Sequence, residues 1–263
     1  MSVLILQNEI VHYQVLGRGK PLLFLHGWIG SWRYWMPAMQ MASIAYRTFA
    51  IDLWGYGDTA KTPKYYSLEK QVQLIEAFMR EVGITKVAMI GHALGALIAA
   101  KYAIGQPRTV DRLMAVSMPE TIDSINPKVF TSQPIELAGW VPVHSANPEA
   151  VRNEAPKTDV RAIQVSKNWL KETDLPSLKK NLRTPCLFVY GQNDTVVSAP
   201  AAVNPDGKLP DHFHQIVFEE SGYFPMLEEP NKFNRLLIDF LALRSGSSPR
   251  QLQLKEEWKR RVR

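Results

Sequence analysis

The segment Gly91–Gly95, which reads GHALG, has the spacing of a turn that presents a catalytic side chain. It follows the apolar run Val87–Ile90 and leads into the apolar, helix-compatible stretch Leu94–Ala103. In such a strand–turn–helix unit the two glycines permit a sharp turn that lifts the middle side chain above the sheet. A serine at the middle position would be a nucleophile for acyl transfer. The middle residue here is Ala93, so the turn is present but the attacking atom is missing.

The elements around this turn predict an α/β domain with a mostly parallel central sheet flanked by helices. Short apolar runs typical of buried parallel strands alternate with amphipathic stretches of helical period. The predicted strands cover 10–16, 21–27, 47–52, 86–90, 112–117, 185–191 and 215–219, and the predicted helices cover 67–82, 94–103, 159–172 and 231–243.

Two segments depart from this alternation and divide the chain into a core, at 1–117 and 185–244, and two additions. Residues 118–184 contain seven prolines, which favour short or kinked helices, and we interpret them as a helical lid over a pocket. The tail, 245–263, begins with the linker-like sequence SGSSP. Leu254, Trp258 and Val262 then predict a basic amphipathic helix. We expect residues 250–263 to dock on the protein's own body, a second subunit or another partner.

Length, cysteine content, apolar runs and charge limit the classes of protein to which this chain can belong. The chain has 263 residues, which suits one large domain, and its single cysteine, Cys186, excludes an intramolecular disulfide. Neither a leader-like start nor a membrane-spanning apolar run is found, so we expect a cytoplasmic protein with no integral membrane segment. The tail carries most of the net charge of +6, which disfavours a nucleic-acid-binding body. We expect no metal and no cofactor.

Five segments together make residues 10–244 resemble the α/β-hydrolase fold family. Each segment is similar to a family motif, and the segments follow one another in the family's order: His26-Gly27-Trp28, Asp52–Thr59, Gly91–Gly95, Gly191–Asp194 and Ser221–Pro230. The resemblance implies that Ala93 is at the nucleophile position, Asp194 at the acid position and Tyr223 at the histidine position. It also implies that Asp194 and Tyr223 meet through a phenol-to-carboxylate hydrogen bond.

Two of these three positions lack the residue that the chemistry needs. Alanine has no attacking atom, and a tyrosine, with an ordinary pKa of about 10, is a poor general base at neutral pH. No other histidine is expected to replace the base, since His26 and His92 belong to structural positions and His144 to an exposed part of the lid. Ordinary ester hydrolysis through an acyl-enzyme is therefore not expected.

The resemblance still implies a binding site. The backbone amides of Trp28 and Leu94 would form an oxyanion hole that accepts a carbonyl oxygen or an anion. We expect a small-molecule ligand in a pocket under the lid, lined by His26, Trp54, Tyr56, Trp140, His144 and Phe224.

Four functional hypotheses remain open at this point. The first is a degenerate hydrolase that binds a small carbonyl-bearing or aromatic ligand without hydrolysing it. The second is an unconventional lyase, isomerase or cyclase that uses the oxyanion hole and Tyr223. The third is a serine hydrolase carrying an engineered inactivating change at Ala93, and the fourth is a scaffold or accessory protein that acts through its lid or tail.

Overall fold

A computed structural model describes residues 2–200 and 209–254. Within these ranges one sheet contains eight strands: β1 Ser2–Leu6, β2 Glu9–Leu16, β3 Lys20–Leu25, β4 Tyr46–Ile51, β5 Val87–His92, β6 Val110–Val116, β7 Cys186–Gly191 and β8 Phe213–Phe218. Their order across the sheet is β1-β2-β4-β3-β5-β6-β7-β8. β1 pairs antiparallel with β2, and β2 with β4, whereas all the pairs from β4 to β8 are parallel.

The described α-helices lie between or after these strands. They are α1 Met36–Ala42, α2 Leu68–Glu81, α3 Leu94–Gly105, α4 Lys128–Thr131, α5 Pro134–Leu137, α6 Glu149–Arg152, α7 Val160–Glu172, α8 Leu175–Asn181, α9 Pro225–Glu228 and α10 Pro230–Ala242. Helix α2 starts at the N-cap Ser67, whose hydroxyl accepts from the Lys70 amide, and α7 starts at the N-cap Asp159. The α/β class, the mostly parallel sheet and the flanking helices are confirmed.

β1 was not predicted from the sequence, and several strand ends were misplaced, including those of β5 and β8. β1 pairs only with β2 and forms an edge of the sheet. β5 continues two residues beyond the predicted end, through Gly91 and His92, so the turn begins directly at Ala93. β8 begins at Phe213, so His214 lies inside the edge strand rather than before it.

The parallel strands explain where a site can form. β3, β5, β6, β7 and β8 run in the same direction, so the loops that follow them emerge at one edge of the sheet. Between β6 and β7, residues 118–184 form helices and turns, and an isolated bridge joins Ile125 to Val197 of the core.

The described part of the tail packs on the body of the protein. Residues Pro249–Leu254 form a 3₁₀-helix, in which Leu252 is buried, and Arg250 pairs with Asp211. Trp258 and Val262, on which the amphipathic-helix prediction depends, lie outside the described residues. Across the described ranges, no helix is long and apolar enough to cross a bilayer.

Candidate functional site

Ala93 occupies a strained turn between β5 and α3. Its φ of 48° and ψ of −107° lie in a region that side chains rarely adopt. The two flanking glycines are required by close backbone contacts. A Cβ on Gly91 would lie 2.5 Å from the Ala96 Cα, and one on Gly95 would lie 2.5 Å from the His26 carbonyl oxygen. The backbone geometry that presents a nucleophile is therefore retained around an alanine.

Tyr223 is held in the loop between β8 and α9. The carboxylate of Glu228 accepts hydrogen bonds from the amides of Gly222 and Phe224, both at 2.8 Å, and so fixes the backbone on each side of Tyr223. The Tyr223 ring lies against the His92 ring, with the two centroids 4.4 Å apart. Because only 3% of Tyr223 is exposed, its side chain belongs to the interior of the site.

The hydroxyl of Tyr223 lies close to the Ala93 turn. A Cβ placed on Gly27 would be 3.1 Å from the Tyr223 hydroxyl oxygen and 3.4 Å from the Ala93 Cβ, so both groups border the same small space. The amide of Trp28 lies beside this hydroxyl, but the contact falls short of hydrogen-bond geometry. Among the described residues the hydroxyl has no hydrogen-bond partner.

Burial raises the pKa of Tyr223 well above its ordinary value. The hydroxyls of Tyr34 and Tyr56 and the carboxylate of Asp194 raise this pKa further, and the Trp28 amide opposes them. Tyr223 is therefore a neutral phenol at physiological pH, able to donate a proton in a hydrogen bond but unable to act as a base.

The predicted hydrogen bond between Asp194 and Tyr223 is wrong. Oδ1 of Asp194 accepts from the amides of Val196 and Val197, each at 2.8 Å, and Oδ2 accepts from the hydroxyl of Ser117 at 2.8 Å. Burial raises the pKa of Asp194 to about 6, against the effect of these hydrogen bonds. The carboxylate therefore connects its own loop to the end of β6 and does not contact Tyr223.

His92 belongs to a buried hydrogen-bond chain. The Gly27 amide donates to the Tyr34 hydroxyl over 2.7 Å, which leaves that hydroxyl to donate to Nδ1 of His92 over 2.9 Å. Nε2 of His92 then carries the proton and donates to the Tyr223 carbonyl oxygen at 2.8 Å. Burial lowers the pKa of His92 to about 3, so the ring remains neutral and structural.

His26 is likewise engaged at both ring nitrogens. Nδ1 donates to the Gly27 carbonyl oxygen at 2.8 Å, and Nε2 accepts from the Leu53 amide at 3.0 Å. Burial lowers its pKa to about 4. His26 therefore supports the loops after β3 and β4 and has no ring nitrogen left for a ligand.

The remaining residues of the predicted pocket fall into two groups. Trp54, Tyr56 and Phe224 are completely buried, whereas Trp140 is half-buried and His144 is exposed. The Tyr56 hydroxyl and the Trp54 indole nitrogen lack hydrogen-bond partners within the described part of the chain. Burial also raises the pKa of Tyr56 well above its ordinary value, so that its hydroxyl stays protonated.

The oxyanion-hole candidates are closed off from solvent. Trp28 is fully buried, and Leu94, whose amide begins α3, is 2% exposed. The indole nitrogen of Trp28 donates to the hydroxyl of Ser166 in α7 at 3.0 Å, which joins the loop after β3 to the helical segment 118–184. In the described ranges, no group of three or more His, Cys, Asp or Glu side chains is arranged to hold a metal ion.

Two residues of the site, Tyr34 and Ser117, were not predicted from the sequence. Tyr34 lies in the turn Trp32–Trp35, where its aromatic neighbours made it indistinguishable from a core residue. Ser117 follows β6 with a φ of 45°, and a polar residue directly after a buried parallel strand is the signal that could have identified it.

Comparison with known proteins agrees with this architecture. A family model described as alpha/beta hydrolase fold matches residues 20–151, half of the chain. A pimeloyl-(acyl-carrier protein) methyl ester esterase of Vibrio parahaemolyticus is 25% identical over 254 residues, covering 88% of this chain and 97% of that protein.

Two solved structures share the fold. An esterase from Exiguobacterium antarcticum has a TM-score of 0.77 at 19% identity, and a hydrolase from Pseudomonas aeruginosa PA01 has a TM-score of 0.77 at 18% identity. Each comparison covers 92% of this chain and 98% of the other chain. The chain therefore belongs to the α/β-hydrolase fold family.

Proposed function

We propose that this protein is a family member that does not hydrolyse esters and instead binds a small carbonyl-bearing ligand beside the Ala93 turn. The observation that carries the proposal is the pairing of Ala93 with Tyr223, whose neutral hydroxyl borders the same space as the Ala93 Cβ. An acyl-enzyme needs an attacking oxygen and a base of near-neutral pKa, and neither residue supplies one.

His26 and His92 do not supply the missing base. Nε2 of His26 and Nδ1 of His92 already accept protein hydrogen bonds, and burial holds both pKa values at about 4 and about 3. Asp194 is also committed, because its two oxygens accept hydrogen bonds from Ser117, Val196 and Val197. This arrangement supports a loss of hydrolysis at every position of the triad.

Binding is supported by buried donors that lack a partner. The hydroxyls of Tyr223 and Tyr56 are both buried and protonated, and neither has a hydrogen-bond partner in the described ranges. Leaving such a group unsatisfied costs about 1–3 kcal/mol, so a ligand with an acceptor oxygen gains by meeting it. Because the site is closed, we propose that the segment 118–184 acts as a lid that opens for the ligand.

Unconventional catalysis is the second candidate, favoured by the neutral phenol of Tyr223 beside the Trp28 amide. These two groups would polarise a carbonyl from the same side without a covalent intermediate. Tyr223→Phe separates the candidates, since it removes turnover in a proton-donating enzyme but only weakens binding in a protein without catalytic activity.

The decisive experiment measures hydrolysis of p-nitrophenyl acetate and butyrate by four proteins. They are the unmodified chain, Ala93→Ser, Ala93→Ser/Tyr223→His and the matched control Ala93→Ser/Tyr223→Phe. We expect only the variant with both serine and histidine to exceed background, by at least about 100-fold, because a general base contributes that much. The proposal is wrong if the unmodified chain hydrolyses either ester and this activity follows the protein through purification.

Ligand binding is tested separately by thermal unfolding with short-chain methyl esters and lactones. We expect a saturable rise in melting temperature that Tyr56→Phe and Tyr223→Phe each reduce. If no carbonyl compound in the panel stabilises the unmodified protein, the proposed ligand binding is wrong. The proposed loss of ester hydrolysis is tested separately by the kinetic experiment.

A further inference from the structure

A cleft lies at the opposite end of the parallel strands from Ala93. It has a volume of about 670 Å³ and is formed where the parallel strands begin, at Pro21 of β3, Tyr46 of β4 and Val87 of β5. The end of α10 closes one side of it. The volume is in the range of small-molecule sites. This cleft shares none of its lining residues with the Ala93 site.

Cations dominate the polar lining of the cleft. Lys20, Lys86, Arg112 and Arg244 line it, and Asp111 is its one carboxylate. Burial acts to raise the pKa of Asp111, but hydrogen bonds from Ser245, Arg112 and Lys86 outweigh it and hold the pKa at about 2. The single negative charge is thus already paired, with Arg112 Nε at 2.7 Å and Lys86 Nζ at 3.0 Å.

Two of these cations have no such pairing. Within the described residues the side chains of Lys20 and Arg244 make no ion pair or hydrogen bond, and both are exposed at the rim of the cleft. A neighbouring hollow of about 370 Å³ shares Lys86 and Asp111 with the cleft. It adds two more arginines, Arg108 and Arg183, and no further carboxylate. The local charge therefore favours an anion.

Arg112 is a buried cation in the lining of the cleft. The residue is 4% exposed, and its Nη1 donates to the Phe240 carbonyl oxygen at 2.6 Å. The hydroxyl of Tyr46 donates to the Leu241 carbonyl oxygen at 3.0 Å. Arg112 and Tyr46 thus satisfy carbonyls at the end of α10, and Lys20 and Arg244 are not needed for that structural task.

The rest of the lining is apolar. Pro21, Ile84, Val87, Leu241 and Leu243 contribute aliphatic surface to the cleft. We propose that the cleft binds an amphipathic organic anion, a carboxylate on a short apolar chain. The carboxylate pairs with Lys20 and Arg244, and the chain lies on the aliphatic surface. This site is independent of the proposed function at Ala93.

The test uses octanoate as the probe and 1-octanol as its uncharged counterpart, with binding measured by calorimetry. The cleft variant is Lys20→Gln/Arg244→Gln, whose two side chains are exposed and make no pairing with the described residues, so folding should be preserved. The matched control is Lys101→Gln/Arg80→Gln, which removes the same two residue types from exposed positions on α3 and α2. Equal melting temperatures of the three proteins establish that the variants are folded.

We expect saturable octanoate binding that the cleft variant weakens by at least about fivefold and the control by less than about twofold. Octanol should bind more weakly than octanoate, and added salt should weaken octanoate binding. Octanoate should change the NMR chemical shifts of Ile84 and Val87. The proposal fails if octanoate does not saturate below about 10 mM, if the cleft variant binds as the control does, or if the shifts move at Leu94 instead.

Discussion

The hydroxyl of Ser117 donates to Oδ2 of Asp194 over 2.8 Å, and this contact joins two loops of the candidate site. Ser117 is the first residue after β6, and Asp194 lies in the loop after β7. The two neighbouring parallel strands bring these loops together. The carboxylate of Asp194, which the resemblance assigned to the acid position, makes hydrogen bonds that hold these loops.

Ser117 should limit any reconstructed hydrolase. In the Ala93→Ser/Tyr223→His background, adding Ser117→Ala should raise esterase turnover by about fivefold, the factor for one hydrogen bond of about 1 kcal/mol. The gain arises because Oδ2 of Asp194 becomes available to orient the new imidazole. Steady-state kinetics check this, with Ser117→Ala alone as the inactive control. Unchanged or lower turnover in the triple variant would show that Ser117 does not compete for Asp194.

Two buried tyrosines in the same site should differ in how much stability is lost when the hydroxyl is removed. Tyr34→Phe leaves the Gly27 amide and Nδ1 of His92 without partners, so we expect a loss of about 2–3 kcal/mol in the free energy of unfolding. Tyr223→Phe removes a hydroxyl that has no hydrogen-bond partner in the described part of the chain, so the change should be below about 1 kcal/mol. Urea denaturation of both variants measures the difference, and equal losses would contradict the chain assigned to Tyr34.

The buried carboxyl of Asp52 should make stability pH-dependent. It accepts from the Trp32 and Asp58 amides, and burial raises its pKa from 3.8 to about 7, with the charges of Asp58 and Glu154 adding to the rise. A raised carboxyl pKa means that the folded state binds the proton more tightly than the unfolded chain. Its contribution to stability is thus complete below pH 3.8 and is lost as the pH rises through about 7.

Comparison with Asp52→Asn isolates this effect from the buried histidines, whose lowered pKa values act in the opposite direction. The stability of the unmodified protein relative to Asp52→Asn should fall by at least about 1 kcal/mol between about pH 5 and about pH 8. Denaturant unfolding at both pH values provides the measurement. A constant difference would mean that Asp52 does not titrate in this range.

The glycine before the Ala93 turn should be irreplaceable. Gly91→Ala would place a Cβ 2.5 Å from the Ala96 Cα, where only backbone can move, so we expect a loss above about 3 kcal/mol or failure to fold. Gly105→Ala, at the end of α3, meets no atom within 4 Å and should be neutral or stabilising by up to about 1 kcal/mol. Thermal unfolding of both variants tests the contrast.

Local patterns in the sequence were sufficient for the fold and for the Ala93 turn. Apolar runs and glycine spacing identified β3 to β8 within a few residues, but β1 is an edge strand with exposed Val3 and Ile5, so its pattern was overlooked. The partners within the site could not be predicted in this way. The register of β6 with β7 decides that Ser117 reaches Asp194, and no spacing along the chain encodes that register.

The hydrogen bond from the Trp28 indole to Ser166 of α7 has a mechanical consequence. Trp28 also provides the amide beside the Tyr223 hydroxyl, so displacement of α7 pulls on the same residue that borders the site. In the lid opening proposed for residues 118–184, uncovering the interior and repositioning that amide would be a single concerted movement. A molecule entering by this proposed route would meet a donor geometry different from that of the closed state.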